Sequence, residues 1–121
     1  MSGLDLAVSD GGPGGALIVS AEGEIDLGNA DELASVFSSD RARAASAVIL
    51  DLLGVAFMDS SGLRVVLIAH SELEPELALV LQPGSPVLRL LELAEVSERM
   101  RIFPSVEAAI EGVAPGTRDA G

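Results

Sequence analysis

The segment "VAFMDSSGLRVVL", residues 55–67, places a short polar stretch between two apolar runs. The run before it belongs to "SAVILDLLGV" (46–55), whose consecutive branched residues are typical of a strand that is covered on both faces. The run after it repeats apolar residues every three or four positions, which predicts a helix from Gly62 to Ser71. The polar stretch is therefore expected to form a strand-to-helix turn, with Ser60 just before the helix.

One face of this predicted helix is a stripe at helical spacing, formed by Leu63, Val66, Leu67 and His70. The other side of the helix is also apolar. A helix that is apolar nearly all round is either fully buried or used as an interface.

On the N-terminal side of this junction, the pattern predicts an antiparallel hairpin followed by a helix. "LDLAV" (4–8) and "ALIVSAEGEI" (16–25) read as strands that flank the turn "SDGGPGG" (9–15). The period then changes in "DLGNADELASVFSSD" (26–40), which predicts a helix begun by Asn29 with Glu32 three residues later.

On the C-terminal side, strands and helices continue to alternate. "ELALVL" (76–81) predicts a central strand, and "PGSPVLRLLELAEV" (83–96) predicts a helix with Ser85 as its N-cap. "RIFP" (101–104) predicts a short strand, and Ser105 caps a last helix. The order is ββαβαβαβα, which predicts an α/β fold with a mixed sheet and parallel βαβ units.

Length and composition restrict the classes of function. The chain has 121 residues, of which 49% are hydrophobic, so one domain is expected over residues 1–112, with a flexible C-terminal tail at 113–121. The net charge of −12 repels nucleic-acid phosphates and anionic membranes. It suits either a basic partner or plain solubility, and composition does not decide between the two.

Several kinds of chemistry are excluded or unsupported. The chain has no Cys and one His, so it offers neither a thiolate nor a His cluster for a metal site, and no Cys nucleophile. The N-terminus lacks the pattern of a signal peptide, and the apolar runs are far shorter than the roughly 18 residues of a membrane span. These features predict a cytoplasmic protein with no membrane or nucleic-acid partner.

The polar turn itself allows two interpretations. Asp59 or Ser60 can cap the helix by accepting hydrogen bonds from backbone N–H groups that lack a partner within the helix. Alternatively, a hydroxyl held at the positive end of a helix is exposed, and a phosphate there is tolerated electrostatically. A helix cap and a phosphorylation or anion site are both open on these residues alone.

The residues also carry a family resemblance. "FMDSSGLR" (57–64), after the strand "VILDL" (48–52) and with "GEID" at 23–26, resembles the STAS domain of bacterial anti-sigma factor antagonists. The resemblance covers roughly residues 4 to 112 and includes the order of the elements. It implies a STAS-type fold and a protein that is not an enzyme and needs no cofactor or metal.

The resemblance implies a phosphorylation switch at Ser60. The unphosphorylated protein binds an anti-sigma factor that is itself a serine kinase, and thereby releases a sigma factor. Phosphorylation of Ser60 breaks this complex, and a serine phosphatase restores it. The partner-binding residues that the resemblance implies surround Ser60 in the two motifs: Asp26, Asp59, Ser61, Gly62, Leu63 and Arg64. Arg64 stands where family members often have Gly. It could reach a phosphate one helical turn back, or it could equally alter which kinase docks.

The sequence also bears on two other classes of function. The first is a STAS scaffold or small-ligand-sensing module in a signalling complex, in which Ser60 serves only as a cap. The second is a serine hydrolase with His70 as the base of Ser60. Ten residues on one helix separate these two side chains by about 15 Å, which is out of hydrogen-bonding reach. No Gly-x-Ser-x-Gly elbow and no P-loop pattern is present, so hydrolysis and nucleotide binding are not supported.

Overall fold

A computed structural model of the chain describes residues 3–10 and 15–113. The elements, in chain order, are β1 (Leu4–Asp10), β2 (Leu17–Ile25), α1 (Ala30–Phe37), α2 (Asp40–Ala44), β3 (Ala47–Met58), α3 (Ser60–Glu72), β4 (Glu76–Val80), α4 (Pro86–Leu93), a 3-10 turn (Ser97–Arg99), β5 (Arg101–Phe103) and α5 (Val106–Val113). The centre of the predicted hairpin turn, 11–14, lies outside the described residues. So does the predicted tail, except that Val113 ends α5.

The five strands form one mixed sheet in the order β1-β2-β3-β4-β5. β1 pairs antiparallel with β2, and the other neighbouring pairs are parallel. This arrangement confirms the predicted hairpin and the predicted mixed α/β sheet. β3 is central, and its register with β2 runs from Leu17 opposite Val48 to Ile25 opposite Met58.

Both faces of the sheet are covered, which explains the apolar run over residues 47–50 at the start of β3. Val48, Leu50 and Leu52 face the larger core, which also contains side chains of α1, α3 and α4. Ala47 and Ile49 face the opposite side, where α5 packs. Successive side chains of a strand point to opposite faces, so a strand between two helical layers is apolar at nearly every position.

Several predicted boundaries differ from the structure; the strand predicted over 4–8, for example, ends at Asp10. The strand predicted over 46–55 continues to Met58, and the helix predicted over 62–71 runs from Ser60 to Glu72. The helix predicted over 26–40 is two helices, because the Ser39 hydroxyl accepts a hydrogen bond from the Ala42 N–H and starts α2. A serine at this position favours a new helix start over continuation of the old one.

The N-cap of α4 is as predicted, whereas the buried face of α3 differs from the apolar stripe seen in the sequence. Ser85 caps α4, and Pro86 is the first residue of that helix. In α3 the buried residues are Gly62, Val66 and Ala69, while His70 is exposed. The face of α3 that is buried is therefore shifted by about one residue from the predicted stripe. The small residues Gly62 and Ala69 lie on this buried face, toward the sheet.

Within residues 3–10 and 15–113, none of the helices has the length and apolar character that crossing a membrane would require.

Candidate functional site at the start of helix α3

The site is built where two neighbouring parallel strands end. Ile25 of β2 lies opposite Met58 of β3, and both residues are the last of their strands. The Asp59 N–H donates a hydrogen bond of 3.1 Å to the Ile25 carbonyl, which extends the pairing by one step. The loop after β2 and the turn into α3 consequently lie side by side at one edge of the sheet, the edge at which α/β proteins commonly place their sites.

Asp59 is the N-cap of α3. Its Oδ1 accepts hydrogen bonds from the backbone N–H of Ser61 at 2.8 Å and of Gly62 at 3.3 Å. Its Oδ2 accepts from the backbone N–H of Leu27 at 3.3 Å. Of the two cap candidates in the sequence, Asp59 is therefore the one that caps, and it also holds the neighbouring loop.

Ser60 is the first residue of α3 and is exposed. Its hydroxyl has no hydrogen-bond partner within the part of the chain that the structure describes. Because Asp59 already caps the helix, the side chain of Ser60 is not needed to cap it. The interpretation of Ser60 as the cap is wrong, and its hydroxyl is presented to solvent.

The loop from Asp26 to Asn29 is braced from within. The Asp26 Oδ1 accepts from the Gly28 N–H at 3.0 Å, and the Asp26 N–H donates to the Asn29 Oδ1 at 2.9 Å. The Asn29 Nδ2 donates to the Glu24 carbonyl at 3.0 Å, and Asn29 is only 1% exposed. Asn29 is the N-cap residue of α1, which confirms the predicted helix start, but its side chain makes no cap hydrogen bond and braces the loop instead.

Gly62 allows α3 to approach the sheet closely. A Cβ atom at this position would lie 2.7 Å from the Ile25 Cγ2 and 2.7 Å from the Met58 Cγ. Both neighbours are buried, so neither side chain can swing into solvent. The glycine thus brings the first turn of α3 against the ends of β2 and β3.

The structure gathers most of the predicted site residues at this edge. Asp26 lies in the loop after β2, and Asp59, Ser60, Ser61 and the buried Gly62 lie at the start of α3 beside that loop. Two residues lie apart from this group. Leu63 packs against the larger core, and Arg64 is exposed on the outer side of α3, one turn after Ser60.

One exposed side chain at this edge escaped the sequence reasoning. Leu27 is 81% exposed, and its backbone is tied to Asp59. A leucine held in solvent by a braced loop is available for contact with another molecule. Its place in "DLGN" (26–29), between polar or turn-forming residues, is a signal of an exposed loop, whereas the change of period predicts a helix over 26–40.

The geometry gives no support to a hydrolytic site. Ser60 and His70 both lie on α3, ten residues apart, so the helix itself holds them at about 15 Å. Among the residues that the structure describes, no three His, Asp or Glu side chains form a group that could hold a metal ion.

A separate cavity of about 370 Å³ lies between α1 and the C-terminal half of α3. Its apolar lining includes Phe37, Val65 and Ile68, and its charged lining residues are Arg43, Glu72 and Glu74. This volume is within the range of small-molecule sites. The cavity is distinct from the edge that carries Ser60.

Comparisons of the sequence and of the fold with known proteins give consistent results. The family model of the STAS domain matches residues 8–109. The anti-sigma-F factor antagonist RsfB of Mycobacterium tuberculosis is 28% identical over 106 residues, which is 87% of each chain. The provisionally named anti-sigma factor antagonist BtrV of Bordetella bronchiseptica is 33% identical over 91 residues, or 74% of this chain and 77% of BtrV. The crystal structure of an anti-sigma factor antagonist from Mycobacterium paratuberculosis has a TM-score of 0.81 and 26% identity, and the match covers 91% of this chain and 93% of that one.

Proposed function

This chain belongs to the STAS domain family, and from that premise we propose that it is an anti-sigma factor antagonist switched by phosphorylation of Ser60. The unphosphorylated form binds an anti-sigma factor that is a serine kinase, and so releases a sigma factor. The antagonist role extends to this chain what the names of RsfB and BtrV say of those proteins. The kinase and the phosphorylation of Ser60 rest on the resemblance of the motif around Ser60. The chain then works as a binding module in the cytoplasm, and catalysis belongs to its partners.

The observation that carries the proposal is the state of the Ser60 hydroxyl. The hydroxyl is exposed and has no hydrogen-bond partner among the described residues. The backbone around it is held by Asp59, whose N–H donates to the Ile25 carbonyl and whose carboxylate accepts from the Ser61 N–H. A kinase can therefore reach Ser60 without unfolding α3. A phosphatase can reach the product for the same reason and reset the switch.

The proposed partner surface surrounds Ser60. Leu27 offers exposed apolar area, while Asp26 and Asp59 bring negative charge to the same edge. With a net charge of −12, the whole chain attracts a basic surface. We expect the anti-sigma factor to present an apolar pocket with basic groups around it.

Phosphorylation of Ser60 weakens partner binding at this surface because it adds negative charge. A phosphate on Ser60 adds about −1.5 to −2 charges next to Asp59. In the complex the phosphate must lose its water, and desolvating a charge without a paired cation costs several kcal/mol. A loss of about 3 kcal/mol corresponds to roughly two orders of magnitude in affinity. We expect the fold itself to be kept, because the Ser60 side chain is exposed and makes no hydrogen bond among the described residues.

The decisive experiment mixes the protein with ATP and candidate kinase-type anti-sigma factors, then maps the modified residue by mass spectrometry. We expect phosphate on Ser60 and none on the Ser60→Ala variant. Ser61→Ala is the matched control, because it removes a neighbouring hydroxyl and should still be labelled. Labelling of Ser60→Ala at Ser61 would refute the residue assignment.

Affinity completes the test. Binding of the anti-sigma factor should fall about a hundredfold on phosphorylation and by less in Ser60→Asp, which adds only one charge. Far-UV circular dichroism should be the same in all three forms. Equal affinity with and without the phosphate, or loss of α/β structure on phosphorylation, would each contradict the switch.

A second function is favoured by the cavity between α1 and α3. Its mixed lining suits a small amphipathic ligand, as in a ligand-sensing or scaffolding STAS module. Ile68→Asp would place a charge in that lining and leave the Ser60 edge untouched. If this variant abolishes signalling while Ser60→Ala does not, ligand sensing is the better description.

A further inference from the structure

We propose that Arg64 is the intramolecular counter-charge of a phosphate on Ser60. This inference deepens the proposed function and rests on Ser60 as the phosphorylated residue. It concerns how the chain itself holds the modified side chain, which is a separate question from how a partner reads it.

Most backbone N–H groups at the start of α3 are already used. The N–H groups of Ser61 and Gly62 donate to the Asp59 carboxylate, and the N–H of Leu63 donates to the Asp59 carbonyl at 3.1 Å, which is the first hydrogen bond of the helix itself. A helix start usually offers its unpaired N–H groups to an anion. Here the cap uses two of them, so a side-chain donor adds to what little the backbone offers a phosphate on Ser60.

Arg64 has the right position for that donor. It follows Ser60 by four residues in the same helix, and side chains at i and i+4 lie on one face with Cβ atoms about 5–6 Å apart. Helical side chains lean toward the N-terminus, so Arg64 leans over the turn that Ser60 begins. An acidic group placed N-terminal to a basic one is also the more favourable order for such a pair.

Arg64 is also available. It is exposed, and its side chain has no hydrogen bond or ion pair within the described residues. Its neighbours three and four residues away on α3 are Ser60, Ser61, Leu67 and Ile68, so no carboxylate of its own helix competes for it.

Two carboxylates lie at this end of α3 among the described residues. They belong to Asp59, which is the N-cap, and to Asp26 in the adjacent loop. The Asp59 carboxylate is occupied by backbone N–H groups. These carboxylates repel a phosphate, so the guanidinium of Arg64, which can donate two parallel hydrogen bonds, is the group that offsets its charge.

The test uses phosphoserine placed at position 60 by genetic encoding, so that no kinase is needed. The second pKa of the phosphate is then followed by phosphorus NMR as the pH is raised. A nearby cation favours the dianion, so Arg64→Gln should raise this pKa by roughly 0.3 to 0.7 relative to the unsubstituted chain. Arg64→Lys, which keeps the charge without the planar fork, should retain about half of the effect.

Arg89→Gln is the matched control. Arg89 is also exposed and lies in the first half of its helix, α4, where it follows the N-cap residue Ser85 by four positions. Its replacement removes the same charge away from Ser60 and should leave the phosphate pKa unchanged. Equal pKa values in the unsubstituted chain and in Arg64→Gln would overturn the proposal, and so would an equal shift in Arg89→Gln.

The result for Arg64 can be distinguished from a failure of the proposed function. If no kinase labels Ser60, the encoded phosphoserine still reports whether Arg64 pairs with it. If Arg64 does not pair, labelling and loss of partner affinity stand as they are.

Discussion

The Leu27 N–H donates a hydrogen bond of 3.3 Å to the Asp59 carboxylate across 32 positions of the chain. The same carboxylate caps α3 through Ser61 and Gly62. One side chain therefore fixes both segments of the candidate site relative to each other. The loop that presents Leu27 and the helix that presents Ser60 cannot move independently while this carboxylate is bound.

Replacing Asp59 should loosen both segments. We expect Asp59→Ala to lower the free energy of unfolding by about 1–2 kcal/mol, at the upper end for a lost cap because the Leu27 bond is lost as well. Urea denaturation measures this loss, and amide hydrogen exchange should show faster exchange at Leu27. Asp31→Ala removes an exposed carboxylate that has no such cap and should change stability by no more than about 0.5 kcal/mol. Unchanged exchange at Leu27 would show that the carboxylate does not hold the loop.

Replacing Ser60 should cost almost nothing in stability. Because Asp59 caps the helix and the Ser60 hydroxyl has no partner among the described residues, Ser60→Ala should stay within about 0.5 kcal/mol of the unsubstituted chain. Ser85→Ala, which removes a serine that does cap its helix, should cost about 1 kcal/mol in the same denaturation experiment. A loss at Ser60 equal to that at Ser85 would reinstate Ser60 as a structural residue.

Gly62→Ala should destabilise the protein against the usual trend. Alanine in place of a helical glycine normally stabilises by up to about 1 kcal/mol. Here the new Cβ meets buried side chains of Ile25 and Met58 at 2.7 Å, so we expect a net loss of about 1–3 kcal/mol. Thermal unfolding measures the sign directly. Gly28→Ala is the control, because its Cβ would meet only the Asp26 Oδ1, at 3.4 Å. A stabilised Gly62→Ala would show that α3 does not lie so close to the sheet.

Leu27 should contribute to partner binding and not to stability. Leu27→Ser should weaken binding of the anti-sigma factor about tenfold or more, since burying a leucine contributes about 1.5–3 kcal/mol. Its unfolding free energy should hardly change, because the side chain is 81% exposed. Leu93→Ser is matched in chemistry and exposure, at 72%, but lies at the last residue of α4. Titration calorimetry that found equal losses for both variants would place the partner elsewhere.

The sheet was predictable because its signals are local and strong. The apolar run around Ile49 indicates a strand between two layers, and Ser85 with Pro86 marks a helix start that the structure confirms. The sequence pattern ends the strand at Val55, three residues too early, because Gly54 and Ala56 weaken the apolar pattern around Val55. The strand continues there through its backbone pairing with β2, which leaves no trace in side-chain type.

The site was only partly predictable for a different reason. Asp59 and Ser60 both have side chains that can cap a helix, and the choice depends on the backbone direction as the chain leaves β3. Asp59 caps because its amide is still paired to Ile25, which places its carboxylate over the first turn. The contact with Leu27 joins residues far apart in sequence, and no local pattern reports such a contact.

The position of Ser60 inside the first turn of a capped helix bears on how an enzyme would recognise it. Its flanking residues are held in strand and helix, so a modifying enzyme meets a folded shape and not an extended substrate peptide. A synthetic peptide of residues 55–67 keeps the motif but lacks Ile25 and Leu27, which hold the Asp59 main chain and carboxylate. Under the proposed function, such a peptide is a poor substrate, and Ser60 becomes available only once the chain has folded.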